Sequence, residues 1–299
     1  MTKSQLIDLF KFYNPDIKVG TKPNAKITES QLLIILNNGA LDIARLTQCI
    51  KNTRSLSAVQ YQYKYTLNTN ILGIEDEGGV WFWESTSGSQ LECKTLEYWN
   101  TYYPNWYDAS CSTPLEFTVR GNDLYLRPAP DTGAYTTTLD GGIDADDTTL
   151  TLSDGTNFPK RFRCLIDDEV IEVQRHSNNE CYSLLRGLEG TTAASHSDGA
   201  TVTMRNILLF TFEKPQAMSD DSDDPFNGLT YLEPYHEGIL LYARWKIKPI
   251  IDKKYDAKKG EQEYYDFIAL MKRELNKLLP IKPSKLQMRS YGEFFKTAF

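Results

Sequence analysis

Apolar residues recur at helical spacing in four stretches of the chain and alternate at strand spacing through most of the rest. The first stretch, residues 2–15, opens with Thr-Lys-Ser-Gln and places Leu6, Ile7, Leu9, Phe10 and Tyr13 on one helical face. It stops at Asn14-Pro15, because the residue before a proline is pushed out of the α region. A turn-rich linker at 20–26 follows. Thr28-Glu-Ser-Gln31 then forms a capping box, in which the Thr and Gln side chains reciprocally satisfy free backbone N–H groups. It heads an amphipathic pattern, Leu32, Leu33, Ile35, Leu36, Ala40, Ile43, Ala44, Leu46, Thr47 and Ile50, that predicts a helix of about six turns. Near the other end, Pro234 supplies a first-turn proline for a helix running to about Pro249. A last helix, from about Asp256 to Leu279, carries Tyr264, Tyr265, Phe267, Ile268, Met271, Leu275 and Leu278 at 3.6-residue spacing.

Between these helices the period changes to two. Tyr61, Tyr63 and Tyr65 alternate with Gln60, Gln62 and Lys64 and predict a half-buried strand. Ile71, Leu72 and Ile74 follow, then a turn at 75–79, then Val80-Trp-Phe-Trp83. Residues 91–108 crowd together Tyr98, Trp99, Tyr102, Tyr103, Trp106 and Tyr107. Such crowding reads first as a core or subunit-interface layer, and second as a carbohydrate or nucleobase platform. Residues 117–131 read strand, Gly-Asn-Asp turn, strand, Pro-Ala-Pro-Asp stop, which is a hairpin. Tyr135 to Leu139 begins another strand, which the apolar run Ile207 to Phe212 is expected to complete. The 65 residues between them, 140–204, are strand-patterned throughout and look inserted. Short strands with turn signals every ten or so residues predict a small barrel or sandwich.

Composition narrows the function classes. The chain has 299 residues, 40% hydrophobic and 24% charged, enough apolar material to exclude disorder over most of its length. No apolar run approaches the ~20 residues that a bilayer requires. The first residues carry Lys3, Asp8 and Lys11 within a helical pattern, so no secretory signal is expected. The net charge of −7 disfavours a protein that grips duplex DNA through its phosphates. That average conceals a gradient. Residues 244–299 hold 14 Lys+Arg against 7 Asp+Glu, leaving 19 against 33 in the remainder, while 140–204 alone hold 12 Asp+Glu against 5 Lys+Arg. The end of the chain, 281–299, is proline-broken, basic and aromatic. A tail of this kind orders on a partner.

Candidate chemistry is sparse. The five cysteines, Cys49, Cys93, Cys111, Cys164 and Cys181, have no paired zinc spacing and are expected as reduced, mostly buried thiols. His176, His196 and His236 form no metal triad pattern. The acidic run Asp220-Asp-Ser-Asp-Asp-Pro-Phe226 lacks the glycine and distal glutamate of a calcium loop and reads as a solvated loop before a helix. No phosphate-binding glycine loop and no Gly-x-Ser-x-Gly elbow occurs. Asp167, Asp168 and Glu169 fall on one predicted strand, where alternation sends neighbours to opposite faces. The reading is therefore no enzyme, no cofactor, no metal and no catalytic residue.

The order of parts carries a resemblance. A capped helix, a Trp-rich β stretch and the hairpin ending Leu124-Tyr-Leu-Arg-Pro-Ala-Pro-Asp131 precede the acidic loop at 220–225. Leu232-Glu-Pro-Tyr-His-Glu-Gly-Ile-Leu-Leu-Tyr-Ala243 and a helix with paired tyrosines follow. Over roughly 28–139 and 205–280 this resembles the head-to-tail adaptor (connector, or head-completion) proteins of tailed bacteriophages. The resemblance implies a helical bundle with a β-hairpin element (1–139 and 205–280) and an extended docking tail (281–299). With the strand-patterned insert read above as an all-β barrel or sandwich domain (140–204), which many such adaptors lack, the expected fold is α+β. It implies a virion protein, made in the host cytoplasm, that forms a dodecameric ring at the neck between portal and tail. DNA would pass through that ring without sequence-specific binding. Portal docking would fall to Lys282, Lys285, Met288, Arg289, Tyr291, Phe294, Phe295 and Phe299. Tail-tube or nozzle proteins are expected as further partners, and no membrane. Trp81, Trp83, Trp99, Trp106 and Trp245 are the candidates for subunit interfaces. The alternative is another tail or baseplate protein whose β insert binds a neighbouring protein or a glycan.

Overall fold

The computed structural model describes residues 1–20, 26–75, 78–108 and 110–278. Most of the predicted linker at 20–26, part of the turn at 75–79 and the whole docking tail at 281–299 lie outside the described residues. The chain is α+β. Its helices are α1 (Lys3–Tyr13), α2 (Glu29–Thr47), α3 (Leu96–Tyr102), α4 (Glu237–Ile251) and α5 (Ala257–Leu278). The strands, in chain order, are β1 (Lys51–Leu56), β2 (Lys64–Thr66), β3 (Ile71–Ile74), β4 (Val80–Glu84), β5 (Ser87–Gln90), β6 (Glu92–Cys93), β7 (Glu116–Arg120) and β8 (Asp123–Arg127). There follow β9 (Thr136–Thr138), β10 (Thr149–Thr151), β11 (Phe162–Ile166), β12 (Glu169–Ser177), β13 (Glu180–Leu188), β14 (Thr201–Met204) and β15 (Ile207–Glu213). Two compact units result, one from the described residues of 1–49 and 215–278, the other from those of 50–214.

The first unit is helical. Thr2 and Thr28 each close a capping box, with Gln5 and Gln31 as the returning side chains. α2 buries Leu32, Leu36, Ala40, Ile43 and Ala44, and it packs on α4 and α5. The packing turns on Gly238 of α4: a Cβ there would lie 2.6 Å from the Phe267 ring of α5 and 3.2 Å from Ile43 of α2. Tyr264 is fully buried between them and donates its hydroxyl to Asp42 Oδ2 at 2.7 Å. Pro234 sits not at the first turn of α4 but within a preceding 3-10 helix, Thr230–Tyr235. The acidic run is a loop tied by its own hydrogen bonds. Asp223 accepts the Ser219 and Asp220 N–H groups, Asp224 accepts those of Phe226 and Gly228, and Asp221 pairs with Lys3.

Among the described residues the second unit contains three sheets. Strands β1-β15-β4-β5, with β3 also on β15, form one; β2-β8-β7-β6 form another; β10-β13-β12-β11-β14-β9 form the third. The hairpin expected at 117–131 is β7–β8, closed by Gly121-Asn122 with Arg120 opposite Asp123. The expected partnership of the 135–139 strand with 207–212 does not form. β9 pairs instead with β14, while β15 takes β1, β3 and β4. The reason is burial. Ile207 and Leu209 complete an apolar cluster with Val80, Phe82, Phe117, Leu124 and Leu126, which the threonine-rich β9 cannot do. The tyrosine strand shrinks to Lys64–Thr66, because Tyr61 turns out of it at φ 65° and stays exposed.

The six-stranded sheet curls on itself. Its outer strands meet where Leu139 bridges Leu152, and the concave side holds Leu150, Phe158, Phe162, Ile166, Ile171, Val173 and Val202. No helix among the described residues is long and apolar enough to cross a membrane.

Because Gly238 brings three helices together, Gly238→Val should overpack that crossing. A loss of about 1–3 kcal/mol is expected, read from the urea midpoint of the helical signal.

Candidate functional site

The chemistry of the second unit begins with a buried carboxylate. Asp167 and Asp168 form the tight turn between β11 and β12 rather than part of a strand, and Glu169 starts β12 facing inward, 1% exposed. Its Oε1 accepts Arg186 Nε at 2.8 Å and Gly187 N–H at 2.9 Å. Its Oε2 accepts Arg186 Nη2 at 2.8 Å and Ala194 N–H at 3.1 Å, and lies 2.9 Å from His196 Nε2. Arg186 spends its remaining donors on the carbonyls of Asp144 and Ala194, at 2.8 and 2.6 Å. Burial alone would raise the Glu169 pKa. The Arg186 fork, His196 and the two backbone donors overcome that and hold it down to about 2. The ionised network is saturated, so it acts as a lock on the loops at 143–147 and 189–197.

A second network joins the curled sheet to β1. Glu189, just beyond β13, accepts from Ser55 Oγ and lies 3.1 Å from Arg163 Nη1 and 3.4 Å from Arg205 Nη2. Arg163 also donates to the Thr53 carbonyl at 3.0 Å. Asn206 is buried between the sheets, accepting the Ala58 N–H and donating to the Trp83 carbonyl.

These contacts frame a cavity of about 760 Å³. Strand alternation builds one wall. With Ile207 and Leu209 turned to the core, Leu208 and Phe210 of β15 point the opposite way, beside Trp83. Trp83 lies over Gly88, where a Cβ would come within 2.7 Å of its ring. Phe158, Phe162 and Met204 form the facing wall. Lys160, Arg161, Arg163 and Arg205 line the cavity with a single carboxylate, Glu172, which Arg161 and Arg163 share at 2.6 and 3.0 Å. Among the described residues Lys160 has no ion-pair partner, and the Arg161 side chain is 68% exposed.

An aromatic shelf covers the four-stranded sheet. Trp99 of α3 is fully buried and donates its indole N–H to Glu116 at 2.8 Å. Trp106 packs against it at 5.2 Å between ring centroids and sets an edge on Tyr63 and Tyr125. Around them, Tyr98 meets Tyr102 at 4.7 Å, Trp106 meets Tyr107 at 5.8 Å, and the Arg127 guanidinium stacks on Tyr103 at 3.3 Å. Tyr102 and Tyr107 are 66% and 60% exposed.

The five candidate tryptophans thus occupy different places. Trp83 lines the cavity, and Trp81 lies opposite Leu208 on β15, half-buried. Trp99 is spent inside the chain and offers no surface to a neighbour. Trp106 is half-buried at the root of the shelf. Trp245 belongs to the helical unit, stacked on Tyr264 with Lys246 over its ring. The residues left outward are the tyrosines. Their exposure had no signal in the spacing, since positions 102 and 103 follow Trp99 by about one helical turn, which would put them on its buried face. The cavity's cations did have a signal: three of the five basic residues of 140–204 fall at 160, 161 and 163.

Among the described residues no group of three or more His, Cys, Asp or Glu side chains is placed to hold a metal ion. No model of a known protein family matches the chain, and comparison with curated proteins finds no match.

Replacing Arg186 by Met leaves Glu169 buried and unpaired, and should cost about 3–5 kcal/mol in urea unfolding. The pH dependence follows from the depressed pKa of Glu169. Its stabilisation is complete above its ordinary value of 4.5 and is lost as the pH falls toward 2. Unfolding midpoints measured between pH 5 and pH 2 should therefore fall less steeply in Glu169→Gln than in the native chain.

Proposed function

We propose that this chain is a structural virion protein. In this reading it forms an oligomeric ring between the portal and the tail of a tailed bacteriophage and serves as a conduit for DNA. The observation that carries the reading is the aromatic shelf. Tyrosines held rigid by ring contacts and by Arg127, yet largely exposed, offer large contact area at low entropic cost, the chemistry of a protein interface. The order of parts that resembles phage adaptors supports the same reading. So does the acidic remainder of the chain, along which DNA would slide rather than stick.

The finer architecture belongs to this proposal: a helical bundle with its hairpin region as the ring body, residues 140–204 as an inserted module, and 281–299 as the portal-docking tail. A twelvefold ring follows from the resemblance. The tail's aromatic residues, Tyr291, Phe294, Phe295 and Phe299, would fill apolar pockets, and its lysines and arginine would suit an acidic groove.

Electron microscopy of the purified chain, alone and mixed with its portal, tests the proposal. A twelvefold ring stacked on the portal is expected. Tyr102→Ser with Tyr107→Ser should release free subunits, and truncation after Pro280 should abolish docking. A monomer that never assembles overturns the ring, and tight docking by the truncated chain overturns the role of the tail.

A further inference from the structure

The cavity between the curled sheet and β15 takes no part in the ring proposal and stands independently of it. Its volume of about 760 Å³ lies within the range of ligand-sized sites, roughly 300–1,000 Å³. Its floor is apolar: Trp83, Phe158, Phe162, Met204, Leu208 and Phe210. Its charge runs against its surroundings. Residues 140–204 carry 12 acidic and 5 basic side chains, yet three of those five, Lys160, Arg161 and Arg163, converge here, joined by Arg205.

Internal pairing does not cancel this charge. Glu172 is shared by two arginines, and Glu189 stands near Arg163 and Arg205. Two positive charges remain: the exposed Lys160 has no ion-pair partner among the described residues, and Arg161, though bonded to Glu172, keeps a side chain 68% exposed to a ligand. An apolar floor under a cationic edge selects an apolar group that carries carboxylates beside it. Thr86, which lines the cavity, adjoins β5. That strand has a sheet partner on one side only among the described residues. An extended chain leaving the cavity would therefore meet backbone N–H and C=O groups able to pair with it.

We propose that this cavity docks a short acidic peptide segment of a partner protein. The segment would place an aromatic or aliphatic side chain against Trp83, Phe158 and Phe210, and its carboxylates on Lys160 and Arg161. Glu172, the one lining carboxylate, is already engaged by Arg161 and Arg163 and so does not repel it.

Met204 supplies a local reporter, as one of five methionines and, among the described residues, the one that lines the cavity. The full chain, labelled with 13C at the methionine methyl groups, would be titrated by NMR with three probes. These are acetyl-Glu-Asp-Phe-Asp-Glu-amide, its all-lysine counterpart acetyl-Lys-Lys-Phe-Lys-Lys-amide, and decanoate. The acidic peptide should shift the Met204 methyl signal, and the lysine peptide should not. In Lys160→Glu/Arg161→Glu the acidic peptide should bind about tenfold more weakly or worse. Both positions are exposed, and unchanged signals from the other four methionines would verify the fold. Lys160→Glu alone gives the same reading if the double variant does not fold. No Met204 shift with the acidic peptide at about 5 mM overturns the site. Equal response to the lysine peptide overturns its charge selectivity, and decanoate binding as tightly as the acidic peptide overturns the assignment to a peptide.

Discussion

Strand β15 has two faces, and the second unit is organised by that fact. Because successive residues of a strand point to opposite sides, Ile207 and Leu209 are committed to one core, while Leu208 and Phe210 are available to another surface. The first commitment recruits β4 and, through Phe117, Leu124 and Leu126, the β7–β8 hairpin. The second creates the apolar wall that faces the curled sheet. A slip of one residue in the register with β1 and β4 would exchange the two sets and empty both sites at once. The buried Asn206, immediately before β15, guards against that slip. Its side chain is bonded to the backbone at Ala58 and Trp83, and a shifted strand would leave both groups unsatisfied.

Polar groups in this unit specify geometry where apolar ones supply bulk. Glu169 and Arg186 bring together segments that carry few apolar side chains of their own, the loops at 143–147 and 189–197. Glu189 does the same for the junction with β1, meeting Ser55 and two arginines. Both carboxylates are almost enclosed, so their value depends on every partner being in place. The cavity inherits its edge from these networks. Arginines that would be flexible at a surface are held by Glu172, Glu189 and the Thr53 carbonyl, and the floor between them stays apolar.

Local signals in the sequence were reliable and long-range ones were not. The Thr28 capping box, the Asn14 stop and the Gly121-Asn122 hairpin all depend on residues within a few positions of one another, and each forms as its spacing implies. The pairing of β9 was not legible. Residues 136–138 and 207–213 both read as strands, and only competition for the core separates their partners. Asp167-Asp168-Glu169 misled for a related reason. Alternation describes residues within a strand, whereas these straddle a turn, so Glu169 begins the inward phase on its own. Tryptophan was a poor guide to exposed surface because its size draws it inward, as at Trp99. The tyrosines, with a polar hydroxyl to leave in water, remained outside.

The pairing of β1 with β15 also bears on the order in which the chain can assemble. Lys51 lies opposite Phe212, and the Glu213 N–H bonds the Ile50 carbonyl, so the two ends of residues 50–214 are clasped side by side. In the helical unit, α2 packs on α4, yet these helices are separated in sequence by all of the β strands. Joining them directly from an open chain means closing a loop of some 190 residues, an entropic cost of roughly 4–5 kcal/mol on a logarithmic scaling. Once the clasp has formed, most of that cost has been met, and α2 and α4 have only the tethers at 48–50 and 214–236 left to close. The β unit is in this sense a template for the helical one. α2 meets α4 and α5 only after the strands that lie between them in the sequence have been made.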